Sequence, residues 1–221
     1  MPQDPKKRQK ALQRKAAKRK EKRASGLARP GGHGLLRLAG DWPLEEVLLT
    51  RDWQKEGEII QILVARRSSL GQIAVGAFLV DLGCLGVKNA FARVFNSRSE
   101  YVEGWRSTLV SRQPMMRADL NLVAKIIREG IAYAHSLGFR ANPDYRDAML
   151  VLGNADPDAS AARVRLGGKD GKPFFVAGPY DNVPKTLAQL TKAVGPDGFH
   201  FIAPVRPDME LFTDDEGWDE A

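Results

Sequence analysis

Asp81, Gly83, Cys84, Gly86 and Lys88 fall within one short phrase, and their types and order could do chemistry. A carboxylate at the end of a β-rich run, followed by two glycines and a basic residue, can build a phosphate or metal site. The matching reaction is a metal-dependent nuclease or other hydrolase chemistry, with Asp81, Cys84 and Lys88 as the catalytic candidates. Metal-assisted phosphodiester cleavage needs two or more converging acids. Glu58, Glu100 and Glu103 are on offer, but no spacing forces them toward Asp81. The competing reading is structural and takes precedence: Asp81 caps the turn that follows it, Cys84 packs as a small buried hydrophobe, and Lys88 is exposed.

As a nucleophile Cys84 would need a base such as His135 or His200, and no recognisable motif ties either to it. Its neighbours Leu82, Leu85 and Val87 would raise a thiol's pKa rather than activate it. His33, His135 and His200 are too dispersed for metal-ligand spacing, and no cysteine pair assists, so neither a metal centre nor a cofactor is expected. Gly167-Gly168-Lys169-Asp170-Gly171-Lys172 lacks the Gly-Lys-Ser/Thr ending of a phosphate loop and lies between two expected strands. Gly31-Gly32-His33-Gly34 follows no strand and fails the same test. On balance the chain is read as a binding protein before an enzyme.

The binding signal is electrostatic. Lys6, Lys7, Arg8, Lys10, Arg14, Lys15, Lys18, Arg19, Lys20, Lys22 and Arg23 are opposed only by Glu21, so this arm carries +10 in a chain whose net charge is +7. The remainder is therefore about −3, and the body looks nearly neutral. Each Lys or Arg that neutralises a phosphate releases condensed counterion, so the arm is expected to grip nucleic acid without reading sequence. No aromatic interrupts the run, which removes base stacking and favours duplex or structured RNA over an unstructured strand. Leu12 alone gives no apolar face for a membrane. A merely solubilising tail is the competing reading of the arm.

The arm's residues are good helix formers, yet like charges at Lys6/Lys10, Arg14/Lys18 and Lys18/Lys22 set it toward disorder until its charge is neutralised. Three parts follow from the composition: residues 1–34 as disordered basic arm and Gly-rich hinge, 35–205 as the folded domain, and 206–221 as an acidic tail. From Asp208 onward the tail holds seven acids and no base, and it could fold back on the arm. No apolar run approaches the roughly 20 residues a membrane span needs, and no apolar stretch follows the basic start as in a signal peptide. Cys84 is alone, so no intrachain disulfide can form, and the cytoplasm is the expected compartment.

The elements that must position these residues alternate in blocks. Trp42 to Trp53 reads as a short amphipathic helix, with Pro43 at its start, acids Glu45 and Glu46 in its first turn, and Leu44, Val47 and Leu48 at helical spacing. Glu58 to Arg66 and Gln72 to Leu82 are β-rich runs around Ser68-Ser69-Leu70-Gly71, a hairpin whose second strand is apolar on both sides and therefore central. Asn96 to Arg112 and Arg117 to Leu137 read as helices divided by Pro114, with Gly138 as a left-handed C-cap. Pro143 starts a shorter helix ending at Gly153. Arg163 to Leu166 and Pro173 to Val176 flank an Asp-Gly turn as a second hairpin, followed by a helix from Pro184 to Val194 and a strand from Phe199 to Ala203. Strands and helices in runs predict an α+β domain with two β-hairpins and several covering helices.

Three segments resemble a widespread family of uncharacterised bacterial proteins. They are Phe78-Leu79-Val80-Asp81-Leu82-Gly83-Cys84-Leu85-Gly86-Val87-Lys88-Asn89-Ala90; Ala132 to Phe139 with Pro143-Asp144-Tyr145; and Gly168-Lys169-Asp170-Gly171-Lys172-Pro173-Phe174-Phe175-Val176 with Gly178-Pro179 and Asp181. The resemblance spans roughly Trp42 to Ile202 and implies a compact bacterial domain, with no reaction, ligand or catalytic residue to carry over. Arm and tail lie outside it. The functional expectation is thus a nucleic-acid-associated protein that prefers structured RNA or a ribosome-like particle. The alternatives are a hydrolase centred on Asp81 and a protein-interaction module in which arm and tail meet oppositely charged partners.

Overall fold

Ile59–Arg67 (β2) and Ile73–Asp81 (β3) pair antiparallel along their whole length, with Ile59 opposite Asp81 and Arg67 opposite Ile73. The Ser68 to Gly71 turn closes this hairpin: the Ser68 N–H donates to the Gln72 carbonyl at 2.9 Å and the Gly71 N–H to the Ser68 carbonyl at 3.0 Å. The computed structural model describes residues 32–203, and β2 and β3 form the middle of its five-stranded antiparallel sheet. Leu44–Thr50 (β1), Gly86–Phe95 (β4) and Met115–Arg117 (β5) complete the sheet in the order β4-β3-β2-β1-β5. The fold is α+β, as expected.

Side chains alternate across a strand, so each face of the sheet gathers its own core. Ile60, Ile62, Val64, Ala74, Phe78 and Val80 pack under the helices Gly32–Ala39 (α1), Leu120–Ser136 (α4) and Tyr145–Met149 (α5). Leu63, Ala65, Ile73, Val75 and Ala77 face the other way, toward Arg98–Tyr101 (α2), a π-helical turn at Val102–Arg106, and Ser107–Arg112 (α3). β3 is covered on both faces, which is why its apolar residues show no alternation. On the second face Trp105 stacks on Phe91 with ring centroids 5.0 Å apart. Arg106 reaches Glu46 through Nε at 2.6 Å and Nη2 at 2.9 Å, and the Tyr101 hydroxyl donates to the same carboxylate.

α4 starts where Asp119 caps it, accepting from the Asn121 N–H at 2.9 Å and the Leu122 N–H at 3.1 Å. It ends at Gly138, whose φ of +83° is the left-handed conformation expected of it, and the Phe139 N–H returns to the Ala134 carbonyl at 2.9 Å. α5 runs into a 3₁₀ turn at Leu150–Leu152 and stops at Gly153, again as the sequence indicates. Arg66, buried in the core, donates to the carbonyls of Val151 at 2.7 Å, Leu152 at 2.9 Å and Trp42 at 2.7 Å. One guanidinium thus joins β2 to the end of that turn.

Several expectations need correction. Trp42 to Trp53 is not a helix: Leu44–Thr50 is β1, with Val47 and Leu49 in one core and Leu48 in the other. A strand buried on both faces can mimic helical spacing, and pairing with β2 and β5 decides the outcome. β4 and β5 were not anticipated as strands, and the helix expected from Arg117 begins at Leu120.

The second hairpin does not form. The Gly168 N–H donates to the Lys172 carbonyl at 2.7 Å, so the turn exists. Its first limb is no strand, because the Gly167 N–H turns to the Leu82 carbonyl at 2.9 Å. Its second limb, Phe174–Val176 (β6), instead pairs in parallel with His200–Ile202 (β7). The helix Val183–Val194 (α6) makes the crossover that two parallel strands require.

Charge also falls differently. Residues 34–203 contain 21 Lys or Arg against 18 Asp or Glu, so the body is mildly basic and the negative remainder belongs to the tail. Among the described residues no helix is long and apolar enough to cross a membrane.

Candidate functional site

Asp81 is the last residue of β3, and its position there fixes its partners. The chain must turn at once to begin β4, which leaves the next backbone N–H groups without ladder partners. The Asp81 carboxylate faces them: Oδ1 accepts from the Cys84 N–H at 3.0 Å, and the Gly83 and Leu85 N–H groups help to stabilise its charge. Only 4% of Asp81 is exposed. Burial pushes its pKa above the usual carboxylate range, more than these backbone bonds and nearby Lys88 pull it down. The turn-capping role expected of Asp81 is the one seen.

Gly83 is pressed between backbones. A Cβ there would lie 2.2 Å from the Phe174 carbonyl oxygen and 3.1 Å from Asp81 Oδ1. The space is used by a hydrogen bond from the Phe174 N–H to the Gly83 carbonyl at 2.9 Å. Cys84 is fully buried with Leu137, Phe175 and Leu190. Burial, then the Asp81 charge, push its thiol far up, which favours the neutral form and opposes activation as a nucleophile. Fully burying side chains such as Phe175 and Leu190 contributes about 1.5–3 kcal/mol each. This small core therefore holds the β6-α6-β7 unit against the turn after β3.

Lys88 departs from expectation. It is half-buried, and its Nζ lies 2.6 Å from Asp181 Oδ2, with the two side chains 15% and 14% exposed. Asp181 Oδ2 also accepts from the Gly178 N–H at 2.8 Å. Tyr133 of α4 packs against the Cys84 core with its hydroxyl buried and unpartnered. Burial, with the charges of Cys84, Asp81 and Asp170, pushes that phenol up to about 12. The turn after Asp81, the end of α4 and the segment from Gly168 to Asp181 thus converge here.

The other acids do not join Asp81. Glu58 accepts from Gln113 Nε2 at 2.7 Å, and Glu100 is bound by Arg93 at 3.2 Å and by the Asn96 N–H at 3.0 Å. Glu103 lies in the π turn beneath the sheet's opposite face. His200 bonds Asp170 at 2.7 Å. Among the described residues no three His, Cys, Asp or Glu side chains gather as metal ligands. The Asp81 cluster is an anchor between two parts of the fold.

A cleft of about 650 Å³ lies nearby, between the end of α4 and the face of α6. Its walls include Phe139, Arg140, Lys185, Thr186, Gln189 and Lys192. Sequence reasoning missed these residues. The available signal was Lys185, Gln189 and Lys192 at helical spacing, with Arg140 just beyond the C-capping Gly138.

The arm residues Lys6, Lys7, Arg8, Lys10, Arg14, Lys15, Lys18, Arg19, Lys20, Lys22 and Arg23 lie outside the described residues, as does the tail. No protein-family model, curated protein or solved structure matches this chain.

Proposed function

We propose that this protein binds nucleic acid without sequence specificity, with structured RNA as its preferred partner in the cytoplasm, and that the basic run Lys6 to Arg23 supplies most of the grip. One observation carries the reading: eleven cationic side chains against the single acid Glu21. Such a density of positive charge gains affinity for a phosphate backbone by counterion release. The mildly basic body is compatible with it, with 21 Lys or Arg against 18 Asp or Glu over residues 34–203. Tyr180, 99% exposed just before α6, adds an aromatic that the arm lacks.

The body is proposed to be shared with the bacterial family it resembles, while arm and tail are features of this chain. Against the hydrolase alternative, Glu58 and Glu100 bond other partners and Glu103 lies in the π turn on the sheet's opposite face, so none of the three joins Asp81. Affinity capture of the full chain, with and without ribonuclease treatment, tests the proposal. RNA is expected to be recovered with the protein, and its recovery to collapse when the eleven arm cations are replaced by glutamine. Partners that survive ribonuclease while no RNA is recovered would favour a protein-interaction module instead.

A further inference from the structure

The cleft between α4 and α6 gathers several of the body's many cations that lack an acidic partner. Arg140, Lys185 and Lys192 hold none among the described residues, and no Asp or Glu lines the cleft they share. Three exposed cations facing one concavity repel each other and gain only if an anion enters.

The local backbone reinforces this. The C-terminal end of α4 would offer negative carbonyl dipoles to the cleft, but they are already engaged. The Leu137, Gly138 and Phe139 N–H groups take the carbonyls of Tyr133, Ala134 and His135, and Gln189 Nε2 donates to the Leu137 carbonyl at 2.8 Å. The opposite wall begins in the first turn of α6, the positive end of a helix dipole, where the Asn182 side chain accepts from the Lys185 N–H at 3.1 Å. Lys185 and Lys192 are seven residues apart, so they share one face about 10 Å apart along the axis. Phe139, half-buried, lines the same cleft and also packs on the core beneath.

The cleft, near 650 Å³, exceeds what one phosphate needs and is open to solvent, as an extended chain lying along it requires. Cations flanking one aromatic ring match the chemistry of a sugar-phosphate chain with an unstacked base. We infer that this cleft binds an unpaired stretch of RNA, its phosphates against Arg140, Lys185 and Lys192 and one base against Phe139. The inference rests on the RNA reading above and deepens it: the arm grips structured RNA by charge alone, and the cleft selects structured RNA that carries unpaired nucleotides.

The test uses the full chain and two RNAs, a blunt duplex and the same duplex with a short unpaired overhang, with affinities read by fluorescence anisotropy. Wild type is expected to bind the overhang RNA about tenfold or more tightly than the blunt duplex. The exposed triple variant Arg140→Ala/Lys185→Ala/Lys192→Ala is expected to lose that preference while holding the blunt duplex nearly as wild type does. Phe139→Leu, which keeps apolar bulk and removes the ring, is expected to lose most of the preference too. If wild type binds both RNAs equally, or if both variants fold and keep the preference, the cleft inference is overturned and the arm reading stands. Binding of neither RNA by wild type overturns both.

Discussion

Lys88 Nζ and Asp181 Oδ2 meet at 2.6 Å although 93 residues separate them in the chain. The pair fastens the second residue into β4 after Gly86 to the segment that leads into α6. With the Asp81 turn and the Cys84 core, it couples the β6-α6-β7 unit to the five-stranded sheet.

Removing one partner of so well buried a pair leaves the other charge without compensation. Lys88→Met is expected to lower unfolding free energy by about 3 kcal/mol, measured by urea denaturation. In Lys88→Met/Asp181→Asn the second substitution should cost much less than Asp181→Asn does alone, because the stranded charge is gone. Equal, additive costs would show that the two side chains do not act as a pair.

Asp81 gives a pH signature. Its folded pKa is raised by burial, so the native state holds its proton at pH values where the unfolded chain has released it. Wild type should therefore lose stability, relative to Asp81→Asn, as pH rises from the ordinary carboxylate range near 3.8 toward the raised folded value, and the difference should level off above it. Urea midpoints for both proteins across that window measure it. A difference that stays flat, or that changes in the opposite direction, would contradict the burial argument.

Cys84 is the only cysteine, which makes its environment easy to read. Buried and held as a neutral thiol, it should resist maleimide in the folded protein and label quickly in denaturant. Rapid labelling of the native protein, followed by intact-mass measurement, would show that the turn after β3 opens.

Gly83→Ala places a methyl group against the Phe174 carbonyl and should break the hydrogen bond between these two segments. A cost of about 1–3 kcal/mol is expected from such overpacking. Hydrogen exchange should report faster opening at Phe174 while the amides of β2 and β3 remain protected.

The β2-β3 hairpin, α4 with its Gly138 cap, the helix ending at Gly153 and α6 were legible because each has local grammar: a turn sequence, an apolar stripe or a capping glycine. β1 was not, because Val47, Leu48 and Leu49 are buried on two faces and copy a helical pattern. The parallel pairing of β6 with β7 was hidden too, since an Asp-Gly turn suggests a hairpin and only the α6 crossover overrides it. Of the candidate site, Asp81 as a turn cap and Cys84 as a core residue were readable from their neighbours. The partner of Lys88 was not, because nothing local ties it to Asp181. The cleft cations were equally hidden, since exposed lysines on a helix look alike until the opposite wall is in place.

The arm's grip on RNA is read from the salt dependence of affinity. For a structured RNA bound by the full chain, the logarithm of affinity should fall linearly with the logarithm of salt concentration, with a slope of about −0.9 per phosphate contacted. Six to ten contacts from the arm correspond to a loss of about three to five decades between 50 and 200 mM salt. Replacing the eleven cations from Lys6 to Arg23 with glutamine should flatten most of that slope. A slope near zero in wild type, or one that the replacement leaves unchanged, would show that the arm does not hold RNA by charge.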